Sequence, residues 1–177
     1  MRIIAGSKKG HTISAPKGTD TRPTSDRVRE AAFNLIGPVD DASVLDLFAG
    51  SGAMGLEALS RGARRAVFVE FDKAAAGVIQ KNLAHLELTG ALILGKDVFQ
   101  ALREERAAGR TYDLVLADPP YGTWPDYETR LGETLPSIVS TNGLVVIETA
   151  AKTEPELPLT LVTSRRYGSA RITLFTR

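Results

Sequence analysis

From residue 44 onward the chain alternates short, uninterrupted apolar runs with stretches of helical character. The runs are 44–48 (VLDLF), 66–70 (AVFVE), 91–95 (ALILG), 113–117 (DLVLA) and 143–148 (GLVVIE), and the helices fall at about 54–61, 73–86, 98–108 and 127–139. Strands that are apolar on both faces must be covered on both faces, and helices between successive strands supply that cover. The pattern therefore predicts an α/β fold built on a doubly wound, mostly parallel sheet. The tail departs from it. Residues 158–164 and 171–176 (RITLFT) are separated only by a turn around Tyr167-Gly168-Ser169, too short for a parallel crossover, so they predict an antiparallel hairpin at one sheet edge.

The first 43 residues read differently. Arg2-Ile3-Ile4-Ala5, a turn near Ser7-Lys8-Lys9-Gly10 and then His11-Thr12-Ile13-Ser14 predict a small β arm within 1–20. Pro23 precedes a helix that Thr24 or Ser25 can cap. Val28, Ala31, Ala32 and Leu35 share one face of it before Gly37-Pro38 stops it. A length of 177 residues with 43% hydrophobic content suits one domain with a small appendage. The expected division is an N-terminal β arm, 1–20, and a main domain, 21–177.

Several function classes are excluded or disfavoured. The chain has no cysteine, which removes thiol catalysis, disulfides and cysteine-ligated zinc. No His/Asp/Glu grouping has metal-ligand spacing, so no metal is expected. No apolar run approaches a membrane span, and polar Ser7-Lys8-Lys9-Gly10 follows the N-terminus too soon for a secretory signal. A cytoplasmic protein with no membrane partner is the expectation.

The net charge of +1 hides an asymmetry. Residues 1–29 carry seven Lys/Arg against two Asp, a net +5, and residues 165–177 carry four Arg and no acid. The stretch between them is net −8. Basic ends around an acidic body fit a polyanion gripped at the ends, although solvated surface cations would give the same count. On this clustering Lys8, Lys9, Arg22, Arg27, Arg29, Arg165 and Arg166 are the candidate phosphate contacts.

The strand at 44–48 runs into Ala49-Gly50-Ser51-Gly52-Ala53-Met54-Gly55, a G-x-G-x-x-G loop opening a helix, and Glu70 ends the next strand 20 residues after Gly50. Such glycines let backbone approach a ligand, and such an acid accepts from ribose hydroxyls, so an adenosine-containing cofactor is implied. Nicotinamide and flavin enzymes share the loop. Asp46 tilts the choice, because a carboxylate beside the loop repels a pyrophosphate but favours the ammonium and sulfonium of S-adenosylmethionine. Asp97 follows the third strand, where it can meet an adenine amino group or simply cap the next helix. Asp72 reads as a helix cap.

Asp118-Pro119-Pro120-Tyr121 follows the strand at 113–117, on the side where doubly wound sheets bind ligands. An aromatic amine is a poor nucleophile because its lone pair is delocalised. The Asp118 carboxylate and the Pro119 carbonyl can accept from its two N–H groups and turn the lone pair toward a methyl donor. The prolines keep that carbonyl aimed, and Tyr121 offers a face for a flipped base. The surplus proton can go to Asp118 or to water.

With both motifs in place, the chain resembles the small-subunit ribosomal RNA guanine-N2 methyltransferase family, the RsmD type. The resemblance runs through Met1–Gly6, Thr21-Arg22-Pro23-Thr24, Arg27, Arg29-Glu30 and Phe33. It continues through Asp46–Gly52, Gly55-Leu56-Glu57-Ala58, Val69-Glu70, Asp72, Asp118–Tyr121 and Tyr167-Gly168. Met54 stands where the family often has Leu, and the tail reads Gly168-Ser169-Ala170-Arg171. The resemblance implies a class I, Rossmann-like S-adenosylmethionine-dependent methyltransferase that forms N2-methylguanosine in 16S rRNA, with guanine 966 as target. The RNA would sit within a partly or fully assembled small subunit, and the enzyme would act as a monomer. The implied cofactor residues are Arg22, Pro23, Thr24, Asp46, Phe48, Ala49, Gly50, Ser51, Gly52, Glu70, Phe71, Asp97, Val98 and Asp118. The implied catalytic residues are Asp118, Pro119, Pro120 and Tyr121.

Other readings stay open at this point. Asp-Pro-Pro-Tyr also serves adenine-N6 methyltransferases, so it fixes the reaction class and not the base. A nicotinamide oxidoreductase and a non-catalytic RNA-binding assembly factor are the more distant alternatives. His11 and His85 are not expected to act as catalytic bases. Tyr127 is expected to anchor the catalytic loop by burial, and Trp124 could do so or could line the base pocket.

Overall fold

The computed structural model describes residues 1–16, 25–120 and 124–177. Strands β1 (Ser43–Leu47), β2 (Arg65–Val69), β3 (Ala91–Leu94), β4 (Tyr112–Ala117) and β5 (Val139–Ala150) pair in parallel; β6 (Thr160–Tyr167) and β7 (Ala170–Thr176) form the C-terminal hairpin. The strand order is β3-β2-β1-β4-β5-β7-β6, with β7 antiparallel to β5. The expected doubly wound sheet with its antiparallel edge is present. Strand order reverses between β1 and β4, and the crevice beyond their C-terminal ends is where such sheets bind ligands.

Alternation along the strands sorts the core into two layers. Val44, Phe68, Leu114, Val146, Ile172 and Leu174 face one side, together with buried residues of α1 (Asp26–Ile36), α2 (Ala53–Ser60) and α3 (Lys73–His85). Leu45, Leu47, Val67, Val115, Val145 and Ile147 face α4 (Val98–Ala107) and α5 (Trp124–Ile138). The caps expected from the sequence form: the side chains of Ser25, Asp72 and Asp97 accept from the first turns of α1, α3 and α4.

Several boundaries differ from expectation, β6 running Thr160–Tyr167 rather than 158–164 among them. α5 begins at Trp124 rather than near 127, because Pro125 in the first turn costs no hydrogen bond. β5 begins at Val139 rather than 143. Asn142-Gly143 reads as a turn, but Asn142 takes a left-handed φ of 62° and the strand continues through a register shift, Tyr112 pairing Val139 before Leu114 pairs Leu144.

Among its described residues the arm has one ladder pair, Arg2 with Thr12, held by Ile3 N–H to His11 C=O at 2.9 Å and Ile13 N–H to Met1 C=O at 3.0 Å. Ile3 and Ile13 are buried in the layer that holds Phe33 and Leu59, so these two residues of the arm join the core. Gly6 (φ 81°) lies so close to α2 that an added Cβ would stand 1.8 Å from the Ser60 carbonyl oxygen. The fully buried Glu57 closes the contact, accepting from Ile4 N–H at 2.8 Å and Ala5 N–H at 3.0 Å.

Candidate active site

β1 ends at the switch point and delivers Asp46 to the layer facing α2. Its carboxylate is 4% exposed and accepts from Gly55 N–H, in the first turn of α2, at 2.9 Å. The loop between them turns through left-handed positions at Phe48 (φ 59°), Gly50 (φ 55°) and Gly52 (φ 79°). Gly50 donates its N–H to Glu70 at 2.7 Å, and Asp72 donates its own to the other oxygen of Glu70 at 2.7 Å. The carboxylate at the end of β2 is therefore fixed beside the glycine loop, with lone pairs left for a ligand. Asn82 of α3 braces the loop from behind, donating to the Ser51 and Ser14 carbonyls.

The second motif arrives on the neighbouring strand. β4 pairs β1 with Leu116 beside Asp46, so Asp118 emerges from the same rim, half-buried, with Pro119 buried behind it and Pro120 exposed. Asp46 and Asp118 line one small cleft with Met54, Leu116, Ala117, Val146, Glu148 and Ile172.

Electrostatics mark this cleft. Burial is the largest influence on Asp46; the Gly55 N–H pulls the other way, and the charges of Asp118 and Glu70 add to burial, raising the carboxyl from 3.8 to about 7. Anionic groups held together in a low-dielectric cleft are stabilised by a cation, and a pyrophosphate would add to the repulsion. The donor set thus fits a ligand with positive charge at this point.

Of the remaining cofactor candidates, Ala49 and Val98 are buried, Phe48 is half-buried against Tyr127 (ring centroids 5.3 Å apart), and Phe71 presents an exposed ring (75%) just beyond Glu70. Asp97 is exposed, and one of its oxygens accepts from Phe99 and Gln100 N–H at 3.0 Å. Arg22, Pro23, Thr24 and Tyr121 lie outside the described residues.

Among the expected phosphate contacts, one must be corrected. Arg29 is fully buried. Its guanidinium bonds Asp26 at 2.9 Å and the Arg2 carbonyl, and lies 3.5 Å from Glu57. A cation enclosed with two acids locks α1 to α2 and the arm, and it cannot meet RNA there. Lys9, Arg27, Arg165 and Arg166 are exposed and Lys8 is half-buried. Arg165 and Arg166 are consecutive on β6 and face opposite sides of the sheet, Arg165 on the cleft's side with Ile172 and Arg166 near Glu154.

Trp124 is 4% exposed, donates to Glu128 at 2.7 Å and packs in the α4–α5 layer, so it anchors the chain just after the Asp-Pro-Pro loop. Tyr127 is half-buried, and its ring packs against Phe48 of the glycine loop and Phe99 of α4. His11 and His85 are exposed surface groups. Two residues escaped the sequence reading of the site: Met54 and Glu148. Glu148 carried a signal, since an acid ending the run VVIE repeats the pattern that singled out Glu70 in VFVE.

Comparison with known proteins bears on the family and the fold. The family model described as Conserved hypothetical protein 95 matches residues 1–176. Bacillus subtilis YlbH is 39% identical over 185 residues, covering 99% of this chain and 98% of that protein. Ribosomal RNA small subunit methyltransferase D of Escherichia coli is 43% identical over 122 residues, 68% of this chain and 60% of that protein. A solved structure of a hypothetical protein from a Thermus species superposes with a TM-score of 0.85 at 34% identity, covering 99% of this chain and 98% of that one. The fold is the class I fold of S-adenosylmethionine-dependent methyltransferases, and the chain belongs to the family described as Conserved hypothetical protein 95, that of the RsmD-type methyltransferases.

Proposed function

We propose that this protein transfers a methyl group from S-adenosylmethionine to the exocyclic N2 of a guanine in 16S rRNA. It would act as a monomer in the cytoplasm on a partly or fully assembled small subunit. The observation that carries the reading is the shared cleft, in which Asp46 below the glycine loop and Asp118 of the Asp-Pro-Pro segment stand on adjacent strands at one rim. The name and 43% identity of the Escherichia coli relative support rRNA as the substrate.

S-adenosylmethionine supplies a methyl group made electrophilic by its sulfonium. The residues fit to hold it are Asp46 and the loop backbone from Phe48 to Gly52 at its cationic end, Glu70 at the ribose, and Phe71, Asp97 and Val98 around the adenine. Arg22-Pro23-Thr24 would fold over the methionine end. Asp118 and the Pro119 carbonyl accept from the two N–H groups of the amine, which localises the nitrogen lone pair. Tyr121 stacks the extruded base. Asp118 or water takes the proton that the nitrogen gives up. Arm residues Lys8 and Lys9, with Arg22, Arg27, Arg165 and Arg166, hold the RNA backbone.

The test is incubation of the pure protein and labelled S-adenosylmethionine with 16S rRNA, assembly intermediates and whole subunits from cells lacking the enzyme, followed by nucleoside mass spectrometry. N2-methylguanosine is expected. N6-methyladenosine, or no labelled nucleoside from any substrate, overturns the reading. Asp118→Ala should lower kcat by about a hundredfold or more.

A further inference from the structure

Acids stand at the C-terminal rim of the parallel strands: Asp46 in β1, Glu70 after β2, Asp97 beyond β3, Asp118 after β4 and Glu148 near the end of β5. The first four have roles in the reading above, and Glu148 has none. Glu148 is only 7% exposed and lines the same cleft as Asp118. Leu116 pairs Val146 and Ala117 pairs Ile147, so Asp118, the first residue beyond β4, leaves the sheet next to the strand that carries Glu148, and both line the cleft. On its other side Glu148 pairs Ile172, which pairs Arg165, so the rim reads Asp118, Glu148, Ile172, Arg165 on one face. Val146, two residues earlier on the same face, shows that packing here is met by an apolar side chain. A buried carboxylate in its place carries a desolvation cost that packing does not require.

We propose that Glu148 is the specificity-determining residue for the base, accepting a hydrogen bond from guanine N1–H while Asp118 holds the adjacent amine. The proposal rests on the guanine-N2 reading and goes one step further, to how guanine is told from adenine. Guanine presents its N1–H donor directly beside its 2-amino donors. Adenine presents a bare N1 lone pair beside its 6-amino group. Asp118 with the Pro119 carbonyl can hold either amine. A second carboxylate one strand over matches the donor–donor edge of guanine and meets only a lone pair on adenine. A carboxylate has about four acceptor positions, so a protein contact that steadies Glu148 leaves others for the base. Exposed Arg165, beyond Ile172 in the same row, adds positive charge to this rim, which favours a phosphate-bearing ligand.

The test uses small subunits reconstituted with 16S rRNA that carries either guanine or 2-aminopurine at the methylated position. 2-Aminopurine keeps the 2-amino group and replaces N1–H by a lone pair. The wild-type protein should prefer guanine by roughly a hundredfold or more in kcat/KM, because a site built to accept a hydrogen bond rejects an analogue that cannot donate it. Glu148→Gln, whose amide can donate to a bare N1, should narrow that ratio by about tenfold or more, with S-adenosylmethionine binding within roughly threefold of wild type as the sign of an intact fold. Glu148→Asp keeps an acceptor-only group and should keep the guanine preference. A ratio unchanged in Glu148→Gln, a ratio that collapses in Glu148→Asp, or a wild-type protein indifferent to the two bases overturns the role of Glu148. A wild-type protein that methylates guanine-bearing particles at a position other than N2 overturns the functional reading and the inference with it.

Discussion

The Asp46 carboxylate accepts a hydrogen bond from the backbone N–H of Gly55 at 2.9 Å, tying the end of β1 to the first turn of α2 across the glycine loop. The contact exists because Gly55 has no side chain. A Cβ there would stand 2.3 Å from the Phe68 ring and 3.1 Å from Asp46 Oδ2. Gly55→Ala gains about 1 kcal/mol of helix propensity but overpacks a fully buried ring at a cost of roughly 1–3 kcal/mol. The clash should win, since neither the ring nor the helix has space to move into. Calorimetry should give a Tm lower by a few degrees and weaker S-adenosylmethionine binding. An unchanged Tm with unchanged affinity would show that α2 yields freely and that the contact does not position the loop.

The same carboxylate makes the protein sensitive to pH. Its folded-state value of about 7 lies above the 3.8 of the unfolded chain, so between those values the native state binds the extra proton. Stability from this group is complete below pH 3.8, falls as pH rises, and is lost once pH passes about 7; the rise corresponds to roughly 4 kcal/mol. Asp46→Asn should flatten the decline of unfolding free energy between pH 5 and about 8 in denaturant titrations without ligand. A cationic ligand favours the charged carboxylate. S-adenosylmethionine binding near pH 6 should therefore release a proton, seen as a dependence of the calorimetric heat on buffer ionisation enthalpy, and affinity should rise toward pH 8. Binding with no proton release and no pH dependence would place the cation elsewhere.

The fold was legible because its signals are local. Five apolar runs with helices between them, and two without, carry the sheet order's essential features, and caps such as Ser25 and Asp97 can be read one residue at a time. The glycine loop and the Asp-Pro-Pro segment are legible for the same reason, as contiguous motifs at the ends of β1 and β4. Arg29 was misread because a cation in a basic stretch looks like surface until the partner 28 residues away, Glu57, is placed against it. Glu148 was passed over because its meaning comes from register: only the pairing of β4 with β5 sets it beside Asp118. Arg165 and Arg166 look like one cluster in the sequence, and strand alternation separates them.

Glu57 should behave as the stabilising hub of the N-terminal third. It receives the N–H groups of Ile4 and Ala5, bonds Arg61 at 2.7 Å and faces buried Arg29. Glu57→Ala leaves Arg29 enclosed beside a lost partner and frees two arm donors, which should cost about 3–5 kcal/mol. The urea midpoint should fall accordingly, and limited proteolysis should cleave within residues 1–16 before any other site. Glu57→Gln retains the shape without the charge and should fall between the two. A loss below about 1 kcal/mol in Glu57→Ala would mean that Asp26 alone satisfies Arg29.

Salt dependence separates cations that grip RNA from those that only hold the fold. Each phosphate contact removed from a single-stranded or irregular RNA should lower the slope of log affinity against log salt by about 0.7. Lys9, Arg27 and Arg165 are exposed, come from the arm, α1 and β6, and are the three to change together. Replacing them with alanine should weaken 16S rRNA binding by anisotropy and reduce the slope by roughly 2, while the Tm stays within a degree or so of wild type. Arg29→Ala should do the opposite, lowering the Tm by removing the buried cation that joins Asp26, Glu57 and the Arg2 carbonyl, and leaving the slope of the folded fraction alone. A triple variant with the wild-type slope would remove these side chains from the RNA interface and leave the basic ends as solvated surface.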